Sequence, residues 1–180
     1  MKITVDTLER SRYYSFKLND SLIEQLTTHT RDMNMNEVTI TTKHINSNLI
    51  KGARNLGAEF DKESKNWVFP DFVSDKAQEL KEIYESDDVI VEVEYTQDVQ
   101  AAQREELFGY QVAYAYDKKT VKLGGVFSII NGRIEAAGSF KNPKVRISSD
   151  TVLRAKLPKK VVENSMAVMS RDDIVVRFVA

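Results

Sequence analysis

The residues of this chain whose types and spacing could do chemistry begin with Pro70-Asp71 and Glu79-Leu80-Lys81. Such a set could hold a divalent cation through its carboxylates while the lysine assists an attacking water. That arrangement needs the Glu-x-Lys on a strand beside the aspartate, whereas here it begins only eight residues after Asp71, inside a helical pattern. Asp87, Asp88, Glu92 and Glu94 form a second acidic group suited in type to magnesium, but Glu92 and Glu94 alternate with valines as the polar side of a strand. His44 has no carboxylate or hydroxyl partner in a recognisable motif, and His29 is the only other imidazole. The absence of cysteine removes disulfides, thiol nucleophiles and thiolate metal sites. No G-x-x-x-x-G-K-[ST] is present, and the glycines of KLGG and GVFSIING lack the strand-to-helix setting of a phosphate loop. The expectation is a protein without catalytic residues, metal or cofactor.

Charge carries more information. Residues 1 to 106 hold 13 Lys/Arg against 21 Asp/Glu, and residues 107 to 180 hold 13 against 6, so a net charge of −1 conceals halves of −8 and +7. An asymmetry of this kind points to the second half as a surface for a polyanion, or to two halves that attract each other. Within that half, PKVRISSDTVLRAKLPKK reads as a hairpin with a three-residue loop at Ser148, Ser149 and Asp150. Val145 would face Leu153 and Ile147 would face Thr151 on an apolar side. Lys144 would face Arg154, with Arg146 and Lys156 beside them, and Lys159 and Lys160 would extend the same basic surface. Like charges directly across a strand pair repel, so an anion nearby would stabilise them, unless Asp172 or Asp173 serves that purpose.

These residues need elements to position them. In the first half, Ser21 and Glu24 have capping-box spacing and start a helix with Leu22, Ile23 and Leu26 on its buried stripe. EVTITT alternates as a strand, INSNLIKGARNLG is a helix closed by Gly57, and AEFDKESKNWVF is a short hairpin ended by Pro70. VSDKAQELKEIY is a helix with Ala77, Leu80 and Tyr84 inward, and DVIVEVEY is a strand with Val89, Val91 and Val93 inward. The expected first module spans 1–96, and 97–106, free of Gly and Pro, reads as a connecting helix.

Residues 107–180 read as hairpins. FGYQVAYAY places Phe108, Tyr110, Val112, Tyr114 and Tyr116 on one strand face. A four-residue DKKT loop pairs Tyr116 with Val121 and Tyr114 with Leu123, which makes the tyrosines a core rather than a stacking surface. GVFSIINGRIEAAGSF turns at Asn131-Gly132, and DIVVRFV is a final strand. The expected fold class is α+β: a mixed α/β module followed by a small antiparallel β barrel or sandwich. No apolar run reaches the length of a membrane span, and the N-terminus lacks a secretory pattern, so a cytoplasmic location is expected.

The stretch AEFDKESKNWVFP carries the only tryptophan. With Phe60-Asp61, Lys65, Trp67 and Phe69 in order between two helices, the segment from Glu37 to Tyr84 resembles the HARP domain of annealing helicases. It is also similar to the short GARWD…K.W modules of plasmid and phage proteins that handle DNA. The resemblance implies a module that binds branched or single-stranded DNA, with Lys62 and Lys65 on the hairpin and Lys51 and Arg54 on the preceding helix as phosphate contacts. Independently of family, Phe60 and Phe69 are expected to pair across the hairpin while Trp67 covers the helices.

The first expectation for function is a non-enzymatic nucleic-acid-binding accessory protein, for DNA rather than RNA, without membrane contact. The alternatives are a phage- or plasmid-type interaction factor whose acidic first half engages a host protein, and a metal-dependent nuclease.

Overall fold

A computed structural model describes residues 37–179; the helix expected at Ser21 and Glu24, and His29, lie outside the described residues. The first elements are β1 (Thr39–Thr41), α1 (Ser47–Asn55), β2 (Glu59–Asp61), β3 (Asn66–Val68) and α2 (Ser74–Tyr84), with a 3-10 turn at Asp71–Val73. Asn46 starts α1 because its Oδ1 accepts from the N–H groups of Asn48 and Leu49, at 2.9 and 3.0 Å. Gly57, at φ +77°, lets the chain turn away from its other end. The strands form an antiparallel sheet in the order β1-β3-β2. Asp61 sets the hairpin turn by accepting from the backbone N–H groups of Glu63 and Ser64.

Ile40, Leu49, Ala53, Trp67, Phe69 and Ala77 make one core, with Leu80 and Tyr84 packed against it as the helical spacing predicts. Trp67 is 8% exposed, so the indole is anchored in that core. Its cross-strand partner differs from expectation: Phe60 pairs with Trp67, not Phe69, because Asp61 and Asn66 are directly opposite.

The larger core lies among three further antiparallel sheets. One, in the order β13-β4-β12-β9, contains β4 (Asp88–Tyr95), β9 (Phe127–Asn131), β12 (Val152–Pro158) and β13 (Ile174–Val179). Another, in the order β10-β11-β5, contains β5 (Val99–Ala101), β10 (Ile134–Gly138) and β11 (Pro143–Ile147). The last, β6-β7-β8, contains β6 (Arg104–Leu107), β7 (Tyr110–Ala115) and β8 (Val121–Leu123). The fold is α+β, and the sheets among the described residues do not close into a barrel. No helix among the described residues is long and apolar enough to cross a membrane.

Residues 97–106 contain strands β5 and β6 in place of a connecting helix. Val91, Val93 and Tyr95 from before that stretch share a core with Leu107, Val145 and Leu153 from after it. A helix that the second half was not expected to contain, α3 (Lys159–Val168), follows Pro158 and buries Val161 and Val162. Asn131-Gly132 does not make a hairpin, since β9 pairs with β12 and β10 with β11. Gly132, at φ +81°, instead passes so close to the buried Thr151 that a Cβ would collide with its backbone, and the chain crosses there between sheets.

The tyrosine strand departs from its expected alternation. Glu105 lies opposite Ala113 and Glu106 opposite Gln111, so Val112 is an extra residue, a bulge. A one-residue slip exchanges the two faces of a strand. Tyr110 and Val112 therefore point inward before it and Ala113 and Ala115 after it, leaving Tyr114 half-buried and Tyr116 56% exposed. Phe108 is not part of that face. It is in the left-handed region with Gly109, in a two-residue turn between β6 and β7.

Candidate functional site

The expected basic hairpin does not form. β11 and β12 do not pair with each other: β11 lies between β10 and β5, and β12 between β4 and β9. The apolar sides of both, Val145 and Ile147 on one and Leu153, Ala155 and Leu157 on the other, enter the same core. Placing them on separate sheets buries both stripes, which a flat hairpin would not. The corner at Ser149 is held by Asp98, which accepts from the Ser149 N–H at 2.8 Å and from Arg146 at 3.3 Å. Those two donors, the backbone N–H first, hold the Asp98 carboxyl below the usual carboxylate range.

Lys144 and Arg146 thus lie on one sheet and Arg154 and Lys156 on another, and most of them have carboxylates of their own. Arg154 reaches Glu92 at 2.5 Å, and Lys156 reaches Asp88 at 3.9 Å. Lys160 reaches Glu82 at 3.2 Å and Lys159 reaches Glu163 at 3.7 Å, both lysines standing in the first turn of α3. Arg177 adds a pair with Glu94 at 2.7 Å. Asp172 and Asp173 are not the partners of the basic strands; Asp173 pairs with Arg171, which also bonds Glu105 at 2.6 Å. The pairs of Arg154, Lys156 and Arg177 run across strands, from β12 and β13 to the acidic β4. Lys144 alone of the six residues of that expected surface has no ion-pair partner among the described residues.

A different constellation gathers at the other core. A cleft of about 400 Å³ opens between the start of α1 and the β2–β3 hairpin. Its polar wall is Lys43, His44, Arg54 and Lys65; its apolar wall includes Ile45, Phe60 and an edge of Trp67; no Asp or Glu among the described residues lines it. Phe60 is 46% exposed and packs on Trp67 with ring centroids 5.3 Å apart and planes at 55°. Lys65, at φ +60°, ends the hairpin turn in the left-handed region. The cleft can accept a flat apolar group against Phe60 while Arg54, Lys65, His44 and Lys43, the last also paired with Asp88 at 3.5 Å, face its anionic substituents.

Of the residues carried by the hairpin resemblance, Arg54 and Lys65 come together here, while Lys51 and Lys62 are exposed but do not line the cleft. Sequence reasoning missed Lys43, His44 and Ile45. A signal existed: Ile45 and Ile50 occupy positions N′ and N4 around the Asn46 cap, the spacing of a hydrophobic staple, and yet Ile45 is 82% exposed.

The cleft is tied to the rest of the fold through the same cap. Asn46, 1% exposed, donates from Nδ2 to the Phe108 carbonyl at 2.9 Å, and the Ser47 N–H donates to the Gly109 carbonyl at 2.7 Å. Burial pushes the Tyr84 hydroxyl, beside Asn46, up to about 12. The turn between β6 and β7 therefore fixes where α1, and with it Arg54, begins.

The residues considered for catalysis are dispersed. Asp71 opens the 3-10 turn, while Glu79 and Lys81 lie in α2, where Lys81 faces Glu85 at 3.8 Å. Among the described residues no three His, Asp or Glu side chains are grouped to hold a metal ion. Comparison with family models, with curated proteins and with solved structures returns no match.

Proposed function

We propose that this protein is a nucleic-acid-binding accessory factor that works without chemistry of its own, preferring single-stranded or branched DNA. The observation that carries this reading is the cleft, lined by no carboxylate among the described residues, in which Arg54, Lys65, Lys43 and His44 surround Phe60 and the edge of Trp67. Cations beside accessible aromatic rings are what an unpaired nucleotide needs: phosphate neutralisation from one wall and a π-face for the base from the other. The HARP-like order of Phe60-Asp61, Lys65, Trp67 and Phe69 supports the same reading, with Trp67 and Phe69 as anchors and Lys65 as the contact. On β4, Asp88, Glu92 and Glu94 are engaged by the protein's own cations, which favours this reading over capture of a basic host protein by that strand.

The test is a fluorescence-anisotropy panel of duplex, single-stranded and forked DNA and RNA at low and at moderate salt. Binding is expected to favour unpaired DNA, to weaken with salt, and to fall by roughly 10-fold or more in Arg54→Glu/Lys65→Glu. Absence of binding at low salt, or affinity indifferent to that double charge reversal, would sink it.

A further inference from the structure

The bulge at Val112 turns Tyr114 and Tyr116 outward, and what surrounds them is a second set of rings and cations. Across the β6-β7-β8 sheet, Arg104, Tyr114 and Lys122 form one row of directly opposed residues. The Arg104 guanidinium lies 5.9 Å from the centre of the Tyr114 ring, and Tyr116 meets Tyr114 edge-on at 5.0 Å and 70°. The turn after Tyr116 brings Lys118 over the Phe140 ring at 4.7 Å, and Phe140 is 66% exposed.

The charges here differ from those of the ion-paired strands. Lys118, Lys119, Lys122 and Lys141 have no ion-pair partner among the described residues. The nearby Asp117 is occupied: it accepts from the backbone N–H groups of Lys119 and Thr120 at 2.6 and 2.7 Å, and these bonds, that of Lys119 foremost, hold its carboxyl low. Glu106 is likewise engaged by Arg104 at 3.0 Å and by the Ser47 hydroxyl at 2.9 Å. Exposed rings ringed by unneutralised lysines suit a polyanion that also carries flat apolar groups.

This surface is joined to the cleft already described. A second depression, of about 540 Å³, is lined by Arg104, Lys122 and Leu123 on one side and by Lys43, His44 and Ile45 on the other. Lys43, His44, Ile45 and Ile50 line both depressions.

We propose that the outer face of β6-β7-β8, with Tyr114, Tyr116 and Phe140 as stacking groups and Lys118 and Lys122 as phosphate contacts, is a second binding surface for single-stranded nucleic acid. It is continuous with the Phe60 cleft, so that one strand crosses both. This rests on the nucleic-acid reading of that cleft and names the form it takes. In a duplex the base faces are covered by neighbouring pairs, so tyrosine stacking selects unpaired bases.

The experiment measures anisotropy of labelled oligothymidylate of about 20 nucleotides, and of a duplex of the same length, on the full chain. Tyr114→Ala/Tyr116→Ala is expected to weaken single-strand binding by roughly 10-fold while duplex binding changes less than about 2-fold. Tyr114→Phe/Tyr116→Phe keeps the rings and is expected to keep the affinity, which separates stacking from a folding defect. If the alanine pair binds the single strand like the parent while Arg54→Glu/Lys65→Glu is impaired, the second surface is overturned and the cleft reading survives. If the parent chain binds no single strand at low salt, both fall. Competition by poly-glutamate that the alanine pair leaves unchanged, with single-strand affinity also unchanged, would assign the lysines to an acidic protein instead and overturn the proposal.

Discussion

Arg154 and Glu92 stand directly opposite each other on β12 and β4, with Nε and Nη2 of the arginine both donating to Glu92 Oε1, at 3.0 and 2.5 Å. Arg177 flanks Glu92 from the other side of β4 and bonds Glu94. The acidic strand β4, with Asp88, Glu92 and Glu94, is therefore flanked by the cations of β12 and β13, and the sheet itself neutralises them. With side-chain exposures of 46% and 23%, the Arg154–Glu92 pair is solvent-screened, and a double-mutant cycle with Arg154→Ala and Glu92→Ala should show a coupling of about 0.5–1 kcal/mol in denaturant unfolding. Arg154→Ala should change single-strand affinity by less than about 2-fold. A large affinity loss with unchanged stability would restore Arg154 to the binding surface.

Asn46 makes a second relationship measurable. It caps α1 and also bonds the Phe108 carbonyl while 1% exposed, so Asn46→Ala removes a cap and leaves a buried acceptor without its donor. The expected cost is about 2–3 kcal/mol, read by chemical denaturation. Gly109→Ala attacks the same joint: at φ +79° its Cβ would lie 2.5 Å from Asn46 Oδ1. The two substitutions should be less than additive, because each disrupts the other's contact. Strict additivity would show that the turn and the cap are independent.

What was legible in the sequence is local. The end of α1 at Gly57, the inward face of Ala77, Leu80 and Tyr84, and the alternation of β4 depend on residues a few positions apart, and the structure has them all. Strand partnership was not legible. Asn131-Gly132 and Ser148 to Asp150 have turn chemistry, but whether the chain folds back or crosses to another sheet is decided by Thr151 and Asp98, one buried under the crossing and the other some fifty residues away. The Val112 bulge also escaped. Only its pairing with Glu105 and Glu106 reveals it, and it reverses which tyrosines face solvent. Of the cleft, the hairpin lysine and the helix arginine were readable, whereas Lys43, His44 and Ile45 belong to it only through the three-dimensional approach of α1 to the hairpin.

Acid should weaken the protein through Asp173. Its carboxyl is held below its ordinary value, first by the Arg171 side-chain hydrogen bonds, in a cluster where Arg171 also bonds Glu105 and Glu105 accepts from the buried Tyr95 hydroxyl. A depressed folded-state pKa means this stabilisation is complete above the unfolded carboxylate range of about 4 and is lost as pH falls through the lower folded value. Asp173→Asn should therefore cost about 1.5–3 kcal/mol near neutral pH and flatten the acid limb of the stability profile. An acid limb of unchanged steepness in the variant would assign that dependence to other groups.

Trp67 offers a direct reading of the cleft, because it is the only tryptophan and its emission reports one place. It is 8% exposed, yet an edge of it lines the cavity beside Phe60. A base entering against Phe60 would displace water from that edge and place a π-system near the indole, so emission should be quenched by roughly a quarter or more on saturation with single-stranded DNA, and the quenching should diminish with added salt. Phe60→Ala should reduce affinity by roughly 5- to 10-fold, since it removes the exposed ring of the pair. Because Phe60 is half-exposed, that variant should remain folded, with Trp67 still shielded from acrylamide. Saturable binding by anisotropy with no change in Trp67 emission would place the nucleic acid elsewhere on the surface and remove the cleft from the path of the strand.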